Sequence, residues 1–154
     1  MTTLFDPHEL HALATGCLER PIDEILPLLH TRQSMTEYLI VFGSAIGTEG
    51  HTGRFLADDW FVILDGEQWA FDAGSLSRQE FKPGDMHHLP RGTARGYRIP
   101  DHCWALEYAR GFIPGMLPFG LADGLSSTLD VRTLGQTIGH AAKSITGELL
   151  RGKL

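Results

Sequence analysis

Arg54–Phe71 reads RFLADDWFVILDGEQWAF. Two apolar runs, Arg54–Leu64 and Gln68–Phe71, flank Asp65–Gly66, a dipeptide suited to the positive φ angles of a tight hairpin turn. The stretch predicts strand, turn, strand. On both sides of it the period stays strand-like. Glu37–Gly43 (EYLIVFG) lies upstream. Leu76–Lys82, Met86–Leu89, Thr93–Ile99 and Cys103–Ala109 follow, divided by Gly, Pro and Asp. Many short strands in a row predict a sandwich or a small barrel.

The flanks are helical. Asp6 is suited to cap a helix, with Pro7 at its first position and Glu9 three residues on. Leu10, Leu13 and Ala14 then recur at helical spacing. Pro21 opens a second short helix with Ile22, Ile25, Leu26 and Leu29 on one face, and Arg32–Ser34 reads as a connection. Past the strands, Pro114 and Pro118 break an apolar segment. Thr128–Leu150 reads as an amphipathic helix carrying Leu129, Val131, Leu134, Ile138, Ala141, Ala142, Ile145 and Leu149. The order of helices, strands, helices predicts one α+β domain. Its parts are N-terminal helices over 1–34, the strands of that sandwich or small barrel over 35–110, and a C-terminal helical pair over 111–154 covering them.

A chain of 154 residues, 42% hydrophobic and 21% charged, can bury a core as one globular domain. A net charge of −6 argues against a nucleic-acid partner. No apolar run has the length of a membrane span, and Met1–Leu10 does not read as a signal peptide. Cys17 and Cys103 share no short-spacing motif and are expected to be free, buried thiols. The stretch GTEGHTG (Gly47–Gly53) lacks the ending of a phosphate loop, so His51 is expected to fix a turn.

Glu107 is the anomaly. Alternation along Cys103–Ala109 puts Trp104, Leu106 and Tyr108 on one face and Cys103, Ala105, Glu107 and Ala109 on the other. The second face is small except for one carboxylate. Such a group is exposed, paired, or there for chemistry, because an unpaired buried charge costs several kcal/mol, roughly, and tends to neutralise.

Gly84–Gly92 (GDMHHLPRG) resembles the second motif of the cupin β-barrels, and Asp59 with Gly66 fits the end of the first motif. The resemblance implies a cupin-like barrel. The histidines with which cupin enzymes hold a metal fall here on Thr52, Arg54 and Arg95, so no metal is expected. His87 and His88 are adjacent on a strand, point to opposite faces, and cannot share one interior ion.

Three longer stretches carry a closer resemblance: EYLIVFGSAIGTEGHTGRFLADDWFVILDGEQ, KPGDMHHLPRGTARGY and WALEYARGFIPGMLPFGLADGLSSTLD. Together they resemble the fungal C-8 sterol isomerases, and the sigma-1 receptor is similar over the same segments. That family usually starts with a membrane-spanning helix and has a Gly-rich segment before the first shared strand, where this chain has Leu28–Thr36 (LLHTRQSMT). The chain therefore reads as a shortened homologue.

The resemblance implies a sterol Δ8→Δ7 isomerase of ergosterol-type biosynthesis. The alternative is a non-catalytic protein binding sterols or cationic amphiphiles. Glu107 becomes the central acid of an apolar pocket. A partner acid is expected at Asp59, with Asp58 facing away into solvent. Ligand contacts are expected at Tyr38, Glu37, Phe42, Phe61, Trp104, Leu117 and Phe119. No cofactor is required. The partner would be a sterol or another hydrophobic small molecule, in a homo-oligomer peripheral to the endoplasmic reticulum membrane through its C-terminal helices.

Overall fold

The computed structural model describes residues 5–25, 32–116, 118–119, 122 and 131–151. The fold is α+β. Helix α1 (Pro7–Thr15) and the short α2 (Ile22–Ile25) precede nine strands: β1 (Arg32–Gln33), β2 (Glu37–Ser44), β3 (Thr48–His51), β4 (Ala57–Gly66), β5 (Gln68–Asp72), β6 (Gln79–Phe81), β7 (Met86–Leu89), β8 (Arg95–Ile99) and β9 (Cys103–Gly111). A 3₁₀ turn at Ile113–Gly115 and helix α3 (Val131–Leu150) follow.

The strands form two antiparallel sheets, ordered β1-β2-β9-β4-β7 and β3-β8-β5-β6. Successive strands largely alternate between the sheets, giving a cupin-like double-stranded β-helix. No ladder joins the two sheets among the described residues, so the barrel is open at its seams and not one closed cylinder.

Asp65–Gly66 does not make the expected hairpin. β4 lies in the first sheet and β5 in the second. The register of β4 against β9 slips between Ile63 and Asp65, and Gly66 takes φ +76. A Cβ at Gly66 would stand 2.1 Å from the His102 carbonyl oxygen. A bulge and a glycine in close backbone approach twist the chain out of one sheet and into the other. Arg32–Gln33, expected as a connection, pairs with β2, and Thr48–His51 in the Gly-rich stretch pairs with β8. His51 does fix a turn, its Nδ1 accepting from the Gly53 N–H at 3.2 Å.

The larger sheet is covered on both faces. On the outer face Leu39, Val62, Leu64, Leu106 and Tyr108 pack with Leu10 and Ala14 of α1 and with Ile25. Asp6 caps α1, its carboxylate accepting from the N–H groups of His8 (2.8 Å) and Glu9 (3.2 Å), and His11 Nε2 meets the Gly84 carbonyl at 2.7 Å. On the inner face Phe61, Ile63, Leu89, Ala105 and Cys103 meet Ile99 of the smaller sheet. β9 lies at the centre of this double cover and is buried from Cys103 to Ala109 apart from Trp104. Both cysteines are free; Cys103 is buried as expected, whereas Cys17 is only half-buried. α3 packs on β1 at the edge of the larger sheet. The expected helical residues Leu26, Leu29 and Leu129 lie outside the described residues.

Candidate active site

Three buried polar side chains converge on the inner face of the larger sheet: Tyr38, Asp59 and Glu107, each no more than 7% exposed. Register explains the convergence. Tyr38 on β2 and Asp59 on β4 both lie opposite Ala109 of β9. Glu107 is two residues back along β9, hence on the same face, opposite Ile40 and Phe61. Ala109 is fully buried and presents only a methyl group, so the longer side chains on either side can close over it. The Tyr38 hydroxyl donates to Glu107 Oε1. It also interacts with the Asp59 carboxyl, whose Oδ1 is buried without a hydrogen-bond partner. The phenol therefore stands between two acids.

The electrostatics follow from that burial. Desolvation lifts Glu107 to about 7, against the opposing hydrogen bond from Tyr38. Desolvation, and then the nearby charge of Glu107, hold Asp59 well above the usual carboxylate range, against hydrogen bonds from Tyr38 and the Trp60 backbone. Tyr38 is raised well above the ordinary tyrosine value by burial and by both acids. Two carboxyls in one apolar site cannot both ionise cheaply, so the pair holds a proton near neutrality. Such a pair can offer an acid and a base at the same pH.

Of the other expected site residues, Phe61 is adjacent to Glu107 on β4, and Phe42 stacks edge-on against it with centroids 6.2 Å apart. Phe119 is 44% exposed and packs on Phe55 at 5.3 Å, at the rim. Leu117 lies outside the described residues. Glu37 and Trp104 do not join the group. Each is an odd number of residues from its inward-facing strand neighbours, Tyr38 and Glu107, so each lies on the opposite face. Glu37 there hydrogen-bonds Tyr108. Asp58 is on that outer face too, accepting from the Arg91 backbone at 3.0 Å, with His88 at 3.7 Å.

The cupin metal positions do not fit a divalent cation. Thr52 Oγ1 accepts the Arg95 backbone N–H at 2.9 Å. The Arg54 guanidinium donates to the Gly92 carbonyl. The Arg95 guanidinium donates to Asp72 at 2.6 Å and to His87 Nε2 at 2.7 Å. Two fixed positive charges stand where an ion would need negative or neutral donors. His87 faces inward and His88 outward, where His88 stacks on Trp60 at 4.8 Å. The contact between His87 and Arg95 is not legible in the sequence. Their inward positions on β7 and β8 are visible in the alternation, but the approach of the two sheets is not.

Residues 24–153 match the family described as "ERG2 and Sigma1 receptor like protein". The chain is 58% identical over 120 residues to a C-8 sterol isomerase of Pyricularia oryzae, covering 78% of this chain and 54% of that protein. It is 40% identical over 118 residues to the sigma non-opioid intracellular receptor 1 of Xenopus tropicalis, covering 77% and 52%. The chain spans about half the length of these relatives. A cupin-2 domain containing protein from Shewanella frigidimarina superposes with a TM-score of 0.46 at 10% identity, covering 62% of this chain and 98% of that one.

Proposed function

The chain belongs to the ERG2 and Sigma1 receptor like protein family, and on that premise we propose that it is a sterol Δ8→Δ7 isomerase working by proton transfer between Asp59 and Glu107. The observation that carries this reading is the Tyr38 hydroxyl between two buried carboxyls of raised pKa.

Glu107 ionises first, and its charge keeps Asp59 protonated. The Asp59 carboxyl donates its proton to C9 of the C8=C9 double bond. The π electrons form the new C9–H bond and leave a cation at C8. The Glu107 carboxylate stabilises that cation across a low-dielectric site and then removes the proton from C7. The C7–H electrons become the C7=C8 double bond. Asp59 is now ionised and Glu107 protonated. Tyr38 returns the proton by accepting from Glu107 while donating to Asp59, and the site is reset. Atoms balance without a cofactor. Each positioned proton transfer contributes roughly 10²–10⁴-fold.

Phe112 and Phe119 are exposed, and an apolar rim suits entry of an insoluble substrate from a bilayer surface, in keeping with the endoplasmic reticulum. Among the described residues no helix is long and apolar enough to cross a membrane. The 40% identity to a receptor favours a second reading, binding of sterols or amphiphilic amines without turnover. One experiment separates the two. Purified protein is given a Δ8 sterol in detergent and heavy water, and the product is read by NMR. Δ7 sterol carrying deuterium at C9, taken up as the acid pair exchanges with solvent between turnovers, is expected. Bound but unchanged sterol would leave the receptor-like reading.

A further inference from the structure

Among the described residues, His87 is a buried polar side chain on the inner face of the larger sheet that the isomerisation leaves without a task. It is 3% exposed. Its ring stacks on Phe81 with centroids 4.5 Å apart and tilts against Phe61 at 5.8 Å. The Arg95 guanidinium can only donate, so His87 Nε2 must be an acceptor, and a neutral ring then carries its hydrogen on Nδ1. Asp72 holds the guanidinium in place at 2.6 Å. Burial, and then the charge of Arg95, push the His87 pKa down to about 4, which keeps the ring neutral. The consequence is a fixed N–H donor, and Nδ1 is buried with no partner. An unmet buried donor is costly, and each one in a native fold calls for an explanation.

Position supplies one. His87 pairs with Phe61 across β7 and β4, and Phe61 pairs with Glu107 across β4 and β9. The three share one face. Two strand spacings set His87 and Glu107 about 10 Å apart at the backbone, with the Phe61 ring as an apolar floor between them. One end of this row holds proton-transfer chemistry and the other a neutral donor.

We infer that His87 recognises the ligand's hydroxyl: its Nδ1–H donates to the oxygen on ring A of a sterol whose ring-B double bond lies over Glu107. The identity of the ligand rests on the isomerase reading. A sterol nucleus has one oxygen, and ring A adjoins ring B, so one molecule can span the row. The role is recognition and register, not proton transfer. Arg95 and Asp72 act through His87 by fixing its tautomer.

The test uses three ligands and three proteins. The ligands are a Δ8 sterol with its 3-hydroxyl, the 3-deoxy analogue, and a hydroxyl-free tertiary amine of similar bulk. The proteins are the unmodified chain, His87→Phe and His87→Gln. The unmodified chain is expected to bind the hydroxylated sterol roughly tenfold more tightly than the deoxy analogue. His87→Phe should bind both alike. His87→Gln, whose amide can donate, should recover part of the preference. Amine affinity should stay within about twofold in all three, which verifies that the variants fold. ¹⁵N NMR of the free protein should find His87 protonated on Nδ1. Equal binding of the two sterols by the unmodified chain, a preference surviving in His87→Phe, or a proton on Nε2 would each overturn the assignment. If His87→Phe fails to fold, His87→Gln and the tautomer still decide. Failure of the amine to bind the unmodified chain would count against the Glu107 reading instead, so the two failures are distinguishable.

Discussion

The Tyr38 hydroxyl donates to the Glu107 carboxyl from the neighbouring strand, and this contact opposes the larger effect of burial on Glu107. It does so by stabilising the carboxylate. Tyr38→Phe should therefore raise the Glu107 pKa above about 7. If Glu107 works as the base, the alkaline-rising limb of kcat/KM moves to higher pH in this variant. An unmoved limb with a lower plateau would mean that Tyr38 acts only in returning the proton.

Glu107→Gln and Asp59→Asn should each reduce turnover by roughly 10²-fold or more, because an amide keeps the volume and removes the ionisable proton. The double variant should lose little beyond the worse single one, since the acids act as one unit. Steady-state kinetics on the four proteins checks this. Additive losses on a logarithmic scale would split the pair into independent residues.

Stability should carry the same signature. Burial raises Asp59 and Glu107, so both hold protons more tightly when folded. Their contribution is complete below the unfolded carboxyl value of about 4 and is lost as pH rises through the folded values. His87 has the opposite sign: its pKa is lowered, and its contribution is lost as pH falls below about 6.5. The difference between the unmodified chain and Glu107→Gln reports Glu107 together with its effect on Asp59. From about pH 5 to pH 8 the unmodified chain should lose stability relative to the variant, by up to about 1.4 kcal/mol per pH unit. Urea midpoints across that range measure it, and parallel curves would refute it.

Gly66 and Gly74 make a matched pair. Both have positive φ, +76 and +83. A methyl at Gly66 meets the His102 carbonyl oxygen at 2.1 Å, and one at Gly74 meets nothing within 4 Å. Gly74→Ala should cost only backbone strain, about 1 kcal/mol. Gly66→Ala should cost about 2–4 kcal/mol. Equal urea midpoints for the two variants would mean that the crossover between the sheets relaxes freely.

Short-range pattern made much of this legible. Met86–Leu89 is a strand with the bounds the sequence predicts, and alternation correctly separates His87 from His88. The same rule puts Trp104 opposite Glu107, so its expected place among the ligand contacts conflicts with the strand's own period. Glu37 has the same difficulty beside Tyr38. Asp65–Gly66 illustrates a different limit. A turn signal specifies local dihedral angles, whereas the partner of the next strand depends on which face must be covered. β5 was claimed by β8 and β6, and no local residue announces that. The meeting of Arg95 with His87 depends on the same long-range closure.

That closure also governs when the site comes into being. β9 is near the end of the sheet-forming chain, yet it lies between β2 and β4, two strands laid down dozens of residues earlier. Non-local ladders of this kind are slow to close, because loop entropy is lost before any contact repays it. Until both have formed, Glu107 is an ordinary hydrated carboxylate with no phenol beside it. Its reactivity and the last steps of folding should therefore appear together, and a partly folded chain should carry no proton chemistry to misdirect.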